Sequence, residues 1–270
     1  MTQPFESYLV TASQMRELEA RSVAEGATWA GLMAQAGRGV ADHVIRFLGG
    51  SAAGRRALAL VGPGNNGGDA LVAARHLAEA GAAVALYVWK RRPDESDWSW
   101  QAVRALGPEV VYAADDPDAA ALRGLLAAAD LALDGLLGVG VNRPLAPELA
   151  RIVAAVNDSG APVVAIDVPT GLDADTGKVW GAAINAELTV ATGLLKRGHR
   201  LGPGAGRVAL APIDLPASWE ESMNTTDLSE ATLRSLLPAR PAESHKGTFG
   251  KALVVAGSYF YPGAAALAAG

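Results

Sequence analysis

Short apolar runs alternate with longer segments of helical periodicity along most of this 270-residue sequence. The runs are continuously apolar, which is typical of strands buried on both faces. Strands separated by helical crossovers indicate a mostly parallel sheet with helices on both sides. We therefore predict an α/β fold, a Rossmann-like three-layer αβα sandwich. The predicted strands are 57–61, 82–89, 109–113, 130–134, 162–167, 187–192 and 207–210.

Apolar residues at helical spacing mark the segments outside these strands. A helix is predicted over 11–48, with Thr11 as its N-cap and Gln14 completing a capping-box pattern. After about residue 215 the sequence becomes polar and rich in proline, which indicates a helix and a linker before a new strand at 251–258. The other predicted helices are at about 68–80, 97–106, 117–128 and 146–158.

Composition excludes several classes of function. The net charge of −5 gives no electrostatic footprint for nucleic acid. The lack of cysteine excludes disulfides, Cys-zinc sites and thiol catalysis. The sequence contains no apolar stretch of about 18 residues and no signal-peptide pattern. We therefore expect a cytoplasmic protein that binds neither membrane nor nucleic acid.

Three polar segments each follow a predicted strand: NNGGD at 65–69, DGLLGVGVNRP at 134–144 and DVPTGLDADTG at 167–177. Ligands of open α/β sheets bind outside the carboxyl ends of the strands. The three segments are therefore expected to face one crevice.

The first of these segments belongs to GPGNNGGD, which contains the G-x-G-x-x-G pattern of dinucleotide-binding folds. The pattern alone is weak, because any tight strand-to-helix turn requires glycine. The acid that NAD-dependent dehydrogenases place about 20 residues later is missing, and Lys90, Arg91 and Arg92 occupy that region. An NADP-dependent reductase therefore remains an alternative, and Asp69 could simply cap the helix that follows.

Asp134 and Asp167 each end a predicted strand. Such carboxylates can be turn formers or helix caps, but beside an asparagine loop they also suit acid–base catalysis or an oxygen-rich cation site. Hard cations prefer carboxylate, amide and hydroxyl oxygens, and Asn66, Asp134 and Thr170 supply one of each.

The histidines lack metal-ligand spacing, and structural roles are favoured for His43 and His76, which lie in predicted helices. Lys196 and Arg197 follow a strand. They could neutralise a phosphate, and a solvated basic turn is an equal alternative.

At the three polar segments the sequence resembles the NAD(P)H-hydrate epimerases, the YjeF N-terminal family. The matching stretches are GPGNNGGDALVAARHL, LALDGLLGVGVNRP and PVVAIDVPTGLDADTG, and WAGLMAQAG at 29–37 resembles the family's N-terminal helical signature. The resemblance covers roughly residues 11–215. It implies that the substrates are the hydrated forms of NADH and NADPH, NADHX and NADPHX, whose R and S epimers the enzyme interconverts.

The resemblance also implies roles for individual residues. Asp167 would contact the substrate and act as the catalytic acid and base, with Asp134 as the second candidate. A potassium ion would be held by Asn66, Asp134 and Thr170. Substrate would be bound by Asn65, Asn66, Gly67, Gly68, Asp69, Gly138, Val139, Gly140, Val141, Asn142, Arg143, Pro144 and Asp167.

The segment HKGTFGKALVVAGSYFYPGAAALAA resembles the opening of the ADP-dependent NAD(P)H-hydrate dehydratase domain, a ribokinase-like fold. We therefore expect an epimerase domain at 1–220, a helix and linker at 221–244, and a truncated dehydratase start at 245–270. ADP would serve only a complete dehydratase domain. A non-catalytic nucleotide-binding scaffold of the YjeF type is a further alternative, and a homo-oligomer is compatible with the sequence.

Overall fold

The computed structural model describes residues 8–223, 225 and 226, and beyond them only scattered residues between 233 and 267. The chain divides into two compact units, Met1–Leu228 and Ser229–Gly270. The helices, strands and polar segments below belong to the first unit. The boundaries predicted at 220 and 244, which separate the first domain, the linker and the C-terminal segment, stay predictions.

A seven-stranded sheet forms the centre of the first unit, and every neighbouring pair in it is parallel. Numbering the strands along the chain, their order across the sheet is β4-β3-β2-β5-β6-β7-β9. The predicted α/β fold with a parallel sheet is thus confirmed. The strands are β2 (Arg56–Val61), β3 (Ala83–Val88), β4 (Glu109–Tyr112), β5 (Leu131–Gly135), β6 (Val163–Ile166), β7 (Leu188–Thr192) and β9 (Arg207–Ala211).

Helices cover both faces of this sheet and bury successive residues of each strand in opposite cores. In β2, Ala57 and Ala59 belong to one core, whereas Leu58 and Leu60 belong to the other. The first core holds side chains of α2 (Trp29–Phe47), α3 (Asn65–Glu79) and α4 (Trp98–Arg104). The second holds side chains of α5 (Ala120–Ala128) and α6 (Pro147–Asn157). Burial on both faces explains the continuously apolar runs.

The prediction of one helix over 11–48 is wrong, because two helices occupy this segment: α1 (Ala12–Ala24) and α2. Gly26 lies at φ 115, a conformation that ends a helix, and Thr28 then caps α2 by accepting a hydrogen bond from Gly31 N. The capping box of Thr11 and Gln14 is confirmed at the start of α1.

A second, two-stranded sheet was not predicted. It pairs β1 (Leu9–Val10) in parallel with β8 (Leu195–Lys196), and a short helix α7 (Gly198–Leu201) follows. Strands of two residues give no periodic signal in a sequence. The pairing fixes the backbone of Lys196 directly beneath the carboxyl edge of β7.

The tail is described only in part. A 3₁₀ turn spans Trp219–Ser222, and most of the helix predicted after it lies outside the described residues. The strand predicted at 251–258 also falls partly outside them, and its described residues, 251, 253–256 and 258, are not in a strand. Within the described part of the chain, no helix has the length and apolar character needed to cross a membrane.

Candidate functional site

The three polar segments meet at the carboxyl edge of the sheet, as predicted. The strand order reverses between β2 and β5, whose following loops therefore diverge and leave a crevice. A cleft of about 290 Å³ lies there, lined by residues from α1, from the loops after β2, β5 and β6, and from the end of β7. Its polar lining includes Asn65, Asn66, Asp69, Asp167 and Thr192.

Glycines let the loops after β2 and β5 approach closely. A Cβ added at Gly62 would lie 1.7 Å from the carbonyl oxygen of Leu136, and one added at Gly67 would lie 2.0 Å from the carbonyl oxygen of Gly62. Both contacts are with backbone, which cannot move aside as a flexible side chain can. Gly62 therefore permits the close approach of the two loops, whereas Gly67 permits the tight turn between β2 and α3.

We expect Gly62→Ala to lower the free energy of unfolding by about 1–3 kcal/mol or more, as overpacking does. Denaturant unfolding would measure the change. Gly140→Ala is the matched control, because within the described residues no atom other than those of its chain neighbours lies within 4 Å of the added Cβ, and its φ is not positive. Equal stability of the two variants would contradict the close approach.

A buried polar cluster connects the loops after β2, β5 and β6. Asp134 is fully buried, and its carboxylate accepts hydrogen bonds from Thr170 N at 2.7 Å, Thr170 Oγ1 at 2.7 Å and Leu136 N at 3.2 Å. Thr170 Oγ1 also accepts from Leu137 N at 2.9 Å. Asn66 Nδ2 donates to the carbonyl oxygen of Leu137 at 2.9 Å. One backbone carbonyl thus anchors the asparagine at the start of α3.

Asn66 Oδ1 is buried and has no hydrogen-bond partner among the residues that the structure describes. A buried carbonyl oxygen without a donor is unfavourable and calls for a ligand. Gly138 lies against the same carboxamide, where a Cβ would sit 3.4 Å from Oδ1. Asn66 and Thr170 both bond to the backbone of Leu137, and Thr170 bonds to Asp134, so these three side chains belong to one polar cluster.

Burial raises the pKa of the Asp134 carboxyl to about 6, and hydrogen bonds from Thr170 and Leu136 oppose that rise only in part. Asp134 is wholly inaccessible and does not line the cleft. A carboxyl enclosed in this way suits a structural or cation-binding role better than proton exchange with a substrate.

Asp167 lines the cleft and is held by a buried lysine. Lys196 Nζ forms an ion pair with Asp167 Oδ1 and donates to the carbonyl oxygen of Thr192 at 2.7 Å. The lysine side chain is only 1% exposed. Thr192 adds hydrogen bonds to Oδ1 from its N at 3.2 Å and its Oγ1 at 3.0 Å. The interpretation of Lys196 as a solvated basic turn is therefore wrong.

The backbone at Asp167 is also constrained. Its φ is 64°, in a region that non-glycine residues rarely adopt. His199 Nε2 donates to the Asp167 carbonyl oxygen at 2.7 Å, because its Nδ1 is already the acceptor for Lys196 N at 3.1 Å. Strained residues of this kind cluster at ligand sites, where surrounding contacts hold them in place.

The surroundings of Asp167 keep its carboxyl ionised. Burial alone would raise its pKa, but the Lys196 ammonium and the hydrogen bonds outweigh burial and lower the pKa below its usual value. Burial and the Lys196 charge also lower the pKa of His199 to about 4. The histidine is therefore neutral at pH 7, consistent with its donation from Nε2.

Asp69 lies one turn into α3 and lines the same cleft. Its side chain has no hydrogen bond or ion pair within the described part of the chain. Burial, followed by the negative charges of Asp167 and Glu19, raises the pKa of Asp69 well above its usual value. The cleft thus holds carboxyls whose surroundings shift their pKa values in opposite directions: the pKa of Asp167 is lowered, whereas those of Asp69 and Glu19 are raised. Environments that separate two pKa values in this way are typical of acid–base pairs.

Some of the predicted substrate-binding residues line the cleft, and others do not. Gly67 and Gly68 are buried in α3, where a Cβ on Gly68 would meet the Met33 side chain. Val141 is buried, and 142–144 are exposed and do not line the cleft, because the chain turns away from it after Gly140. The predicted residues that line the cleft are Asn65, Asn66, Asp69, Gly138, Val139, Gly140 and Asp167.

Sequence reasoning missed the roles of Lys196, His199 and Glu19. Glu19 reaches the cleft from α1. Lys196 follows the buried strand β7 by four residues, and its position three residues before His199 was the signal that could have identified it. The structural interpretation favoured for His43 agrees with the bond between its Nε2 and the Leu210 carbonyl oxygen at 3.0 Å.

The parallel sheet and the polar crevice at its carboxyl edge define a Rossmann-like α/β protein. Comparison with known sequences then identifies its family. The family model described as "YjeF-related protein N-terminus" matches residues 30–198, and the chain belongs to this family.

Curated relatives are named bifunctional NAD(P)H-hydrate repair enzyme Nnr. The protein of Moorella thermoacetica is 35% identical over 271 residues, which cover 97% of this chain and 51% of the relative. That of Mycobacterium leprae is 39% identical over 245 residues, which cover 88% of this chain and 48% of the relative. That of Thermofilum pendens is 37% identical over 243 residues, which cover 86% of this chain and 44% of the relative. This chain thus spans about half the length of the relatives it matches.

A crystal structure of the yeast protein ynu0 has the same fold. It is 23% identical, with a TM-score of 0.70 over 82% of this chain and 95% of that chain.

Proposed function

We propose that this chain interconverts the R and S epimers of hydrated NADH and NADPH. The observation that carries the proposal is the pair of carboxyls, Asp69 and Asp167, that line one cleft and whose pKa values are shifted in opposite directions: Lys196 lowers the pKa of Asp167, and burial raises that of Asp69. The family assignment and the repair enzymes among the relatives support it. Asp69 and Asp167 also lie within two of the segments that resemble the epimerase family, at 62–77 and 162–177, which supports the proposal.

The reaction needs an acid and a base but no electron transfer. The hydrated ring carbon carries a hydroxyl and is bonded to the ring nitrogen, whose lone pair can stabilise a cation at that carbon. Protonation of the hydroxyl releases water, and a water that adds to the other face of the ring restores the hydrate with inverted configuration. The proton released on addition must be taken up by a base.

Asp69 and Asp167 meet these two needs. The protonated Asp69 carboxyl supplies a proton to the departing hydroxyl, and the ionised Asp167 carboxylate takes one from the incoming water. In the opposite direction the two exchange roles, as microscopic reversibility requires. Asp134 was the second candidate for this chemistry, and its complete burial favours Asp167 over it.

Potassium is the proposed cation at Asn66, Asp134 and Thr170. When bound there, it would offset negative charge near the substrate's pyrophosphate and hold the three loops in register. The unpartnered Asn66 Oδ1 and the buried Asp134 carboxylate support this assignment.

Potassium is expected to stabilise the protein even in the absence of substrate. At a concentration tenfold above its Kd, the stabilisation is about 1.4 kcal/mol, or about 3–5 °C in Tm. Thermal unfolding in potassium and lithium chloride at equal ionic strength would measure it. Asn66→Leu removes the free oxygen at similar volume and should abolish the difference. A potassium response that this variant retains would place the ion elsewhere.

The proposed function is tested by supplying the purified R epimer and following the S epimer by chromatography. The protein should accelerate its appearance over the slow spontaneous exchange. The rival NADP-dependent reductase would instead consume NADPH absorbance in the presence of a carbonyl compound. Such consumption, with no effect on epimer exchange, would overturn the proposal.

A further inference from the structure

A second cavity, of about 690 Å³, lies at the same edge of the sheet beyond the cleft. It is formed by the chain after β3, by the end of β4 with the turn that follows, and by the first turn of α6. Lys90, Arg91 and Arg92 contribute its basic side, and Tyr112 contributes a ring that is 38% exposed. Nothing in the proposed acid–base chemistry uses this cavity.

Arg92 is the group available for an anion. It is exposed and has no hydrogen bond or ion pair in the part of the chain that the structure describes. Arg91, in contrast, is engaged by Asp97 at 2.8 Å and donates to the carbonyl oxygen of Gly64 at 3.1 Å. Lys90 makes a loose pair with Glu148, at 3.5 Å, with both side chains more than a third exposed, and its Nζ lies 5.0 Å from the centroid of the Trp89 ring.

The basic segment 90–92 lies at the position where dinucleotide-binding folds contact the adenosine ribose. In dinucleotide-binding sheets, the residue that follows the second strand contacts the adenosine ribose: an acid there binds the 2′-hydroxyl, whereas a nearby arginine accommodates a 2′-phosphate. In this sheet β2 and β3 correspond to the first and second strands. Lys90, Arg91 and Arg92 stand where the acid would be.

The distance to the cleft suits one extended ligand. Strands β3 and β6 are three positions apart in the sheet, about 14 Å at the usual strand spacing. The N-terminus of α3 lies between them, and the Arg91 bond to Gly64 connects the two regions. Lys90 and Asp167 also share a backbone feature: both follow strands at this edge with positive φ, at 55° and 64°.

We propose that this cavity binds the 2′-phosphoadenosine end of hydrated NADPH, with Arg92 and Lys90 on the phosphate and Tyr112 beneath the adenine. The inference rests on the proposed function and makes hydrated NADPH the preferred substrate. The planar guanidinium of Arg92 matches two phosphate oxygens at once. Asp115 lines the same cavity and offers an acceptor to the adenine amine.

The test uses the full chain and has two readouts. The first is the ratio of the Kd for ADP to the Kd for adenosine 2′,5′-bisphosphate, with each Kd measured by calorimetry. The second is the ratio of kcat/KM for the NADPH hydrate to that for the NADH hydrate. Arg92→Ala should lower both preferences by about 10- to 100-fold, as expected for a lost bond to a charged group. Arg92→Glu should reverse the kinetic preference.

Arg123→Ala is the matched control, because Arg123 is also exposed but lies on α5 away from this cavity. It should leave both readouts unchanged. If the wild type epimerises both hydrates equally and binds the bisphosphate no more tightly than ADP, the inference is overturned and the function stands. If no epimerisation occurs, the function fails, and the binding comparison still decides the anion site.

Discussion

Asp167→Asn is expected to lower kcat/KM for epimer exchange by about 100- to 10,000-fold, the contribution usual for a positioned acid or base. Asparagine keeps the size of the side chain and an oxygen for the Thr192 hydrogen bonds, but it cannot take up a proton. Chromatographic rates with both hydrates, measured on folded protein, would give the ratio.

Two controls make the Asp167 result interpretable. Asp158→Asn changes an exposed carboxyl at the end of α6 and should leave the rate unchanged. The unfolding free energy of each variant must be measured as well, since Asp167→Asn leaves the buried Lys196 without its partner. A folded Asp167→Asn protein with wild-type rates would remove Asp167 from the mechanism.

Lys196→Met should weaken activity by a different route, through the protonation and position of Asp167. Without the ammonium, only weaker effects such as the Thr192 hydrogen bonds oppose burial, and the Asp167 pKa rises. Because the ionised form is the active base, the acid limb of the kcat/KM profile should move to higher pH. A displaced carboxylate would also lower the rate at neutral pH by about 100-fold.

The same substitution breaks a buried ion pair. Removing one partner leaves an uncompensated buried charge, which costs about 3–5 kcal/mol of stability. Asp167→Asn combined with Lys196→Met should recover part of that loss, because neither charge is then stranded. Lys178→Met is the control, since Lys178 is exposed and lies outside the cleft. An unchanged pH profile in Lys196→Met would show that the lysine does not set the charge of Asp167.

The fold was predictable because the sheet is buried on both faces. Apolar runs such as 57–61 and 130–134 then carry a clear signal, and the polar residues after them fall at the carboxyl edge by topology alone. Asn66, Asp134, Asp167 and Thr170 could be predicted to lie at one edge because each lies at or just after the end of a parallel strand, and no contact between them had to be known. The family resemblance added their individual roles, which stay proposals.

Features set by tertiary contacts were not predictable in the same way. The burial of Lys196 depends on the two-residue pairing of β1 with β8, which has no periodicity to detect. Val141 is buried and 142–144 are exposed, so a motif match at 138–144 does not indicate which of these residues line the cleft. The break between α1 and α2 rests on a single glycine conformation at Gly26.

The most direct test of the central claim starts from each pure epimer in turn. If the chain is an epimerase that uses Asp167, the pure R and pure S samples must converge on one ratio, at rates far above the uncatalysed exchange. The total hydrate should stay constant and no NADH or NADPH should form, and Asp167→Asn should abolish the acceleration. Conversion of the hydrate to the reduced cofactor, or uncatalysed rates from both starting points, would contradict the account.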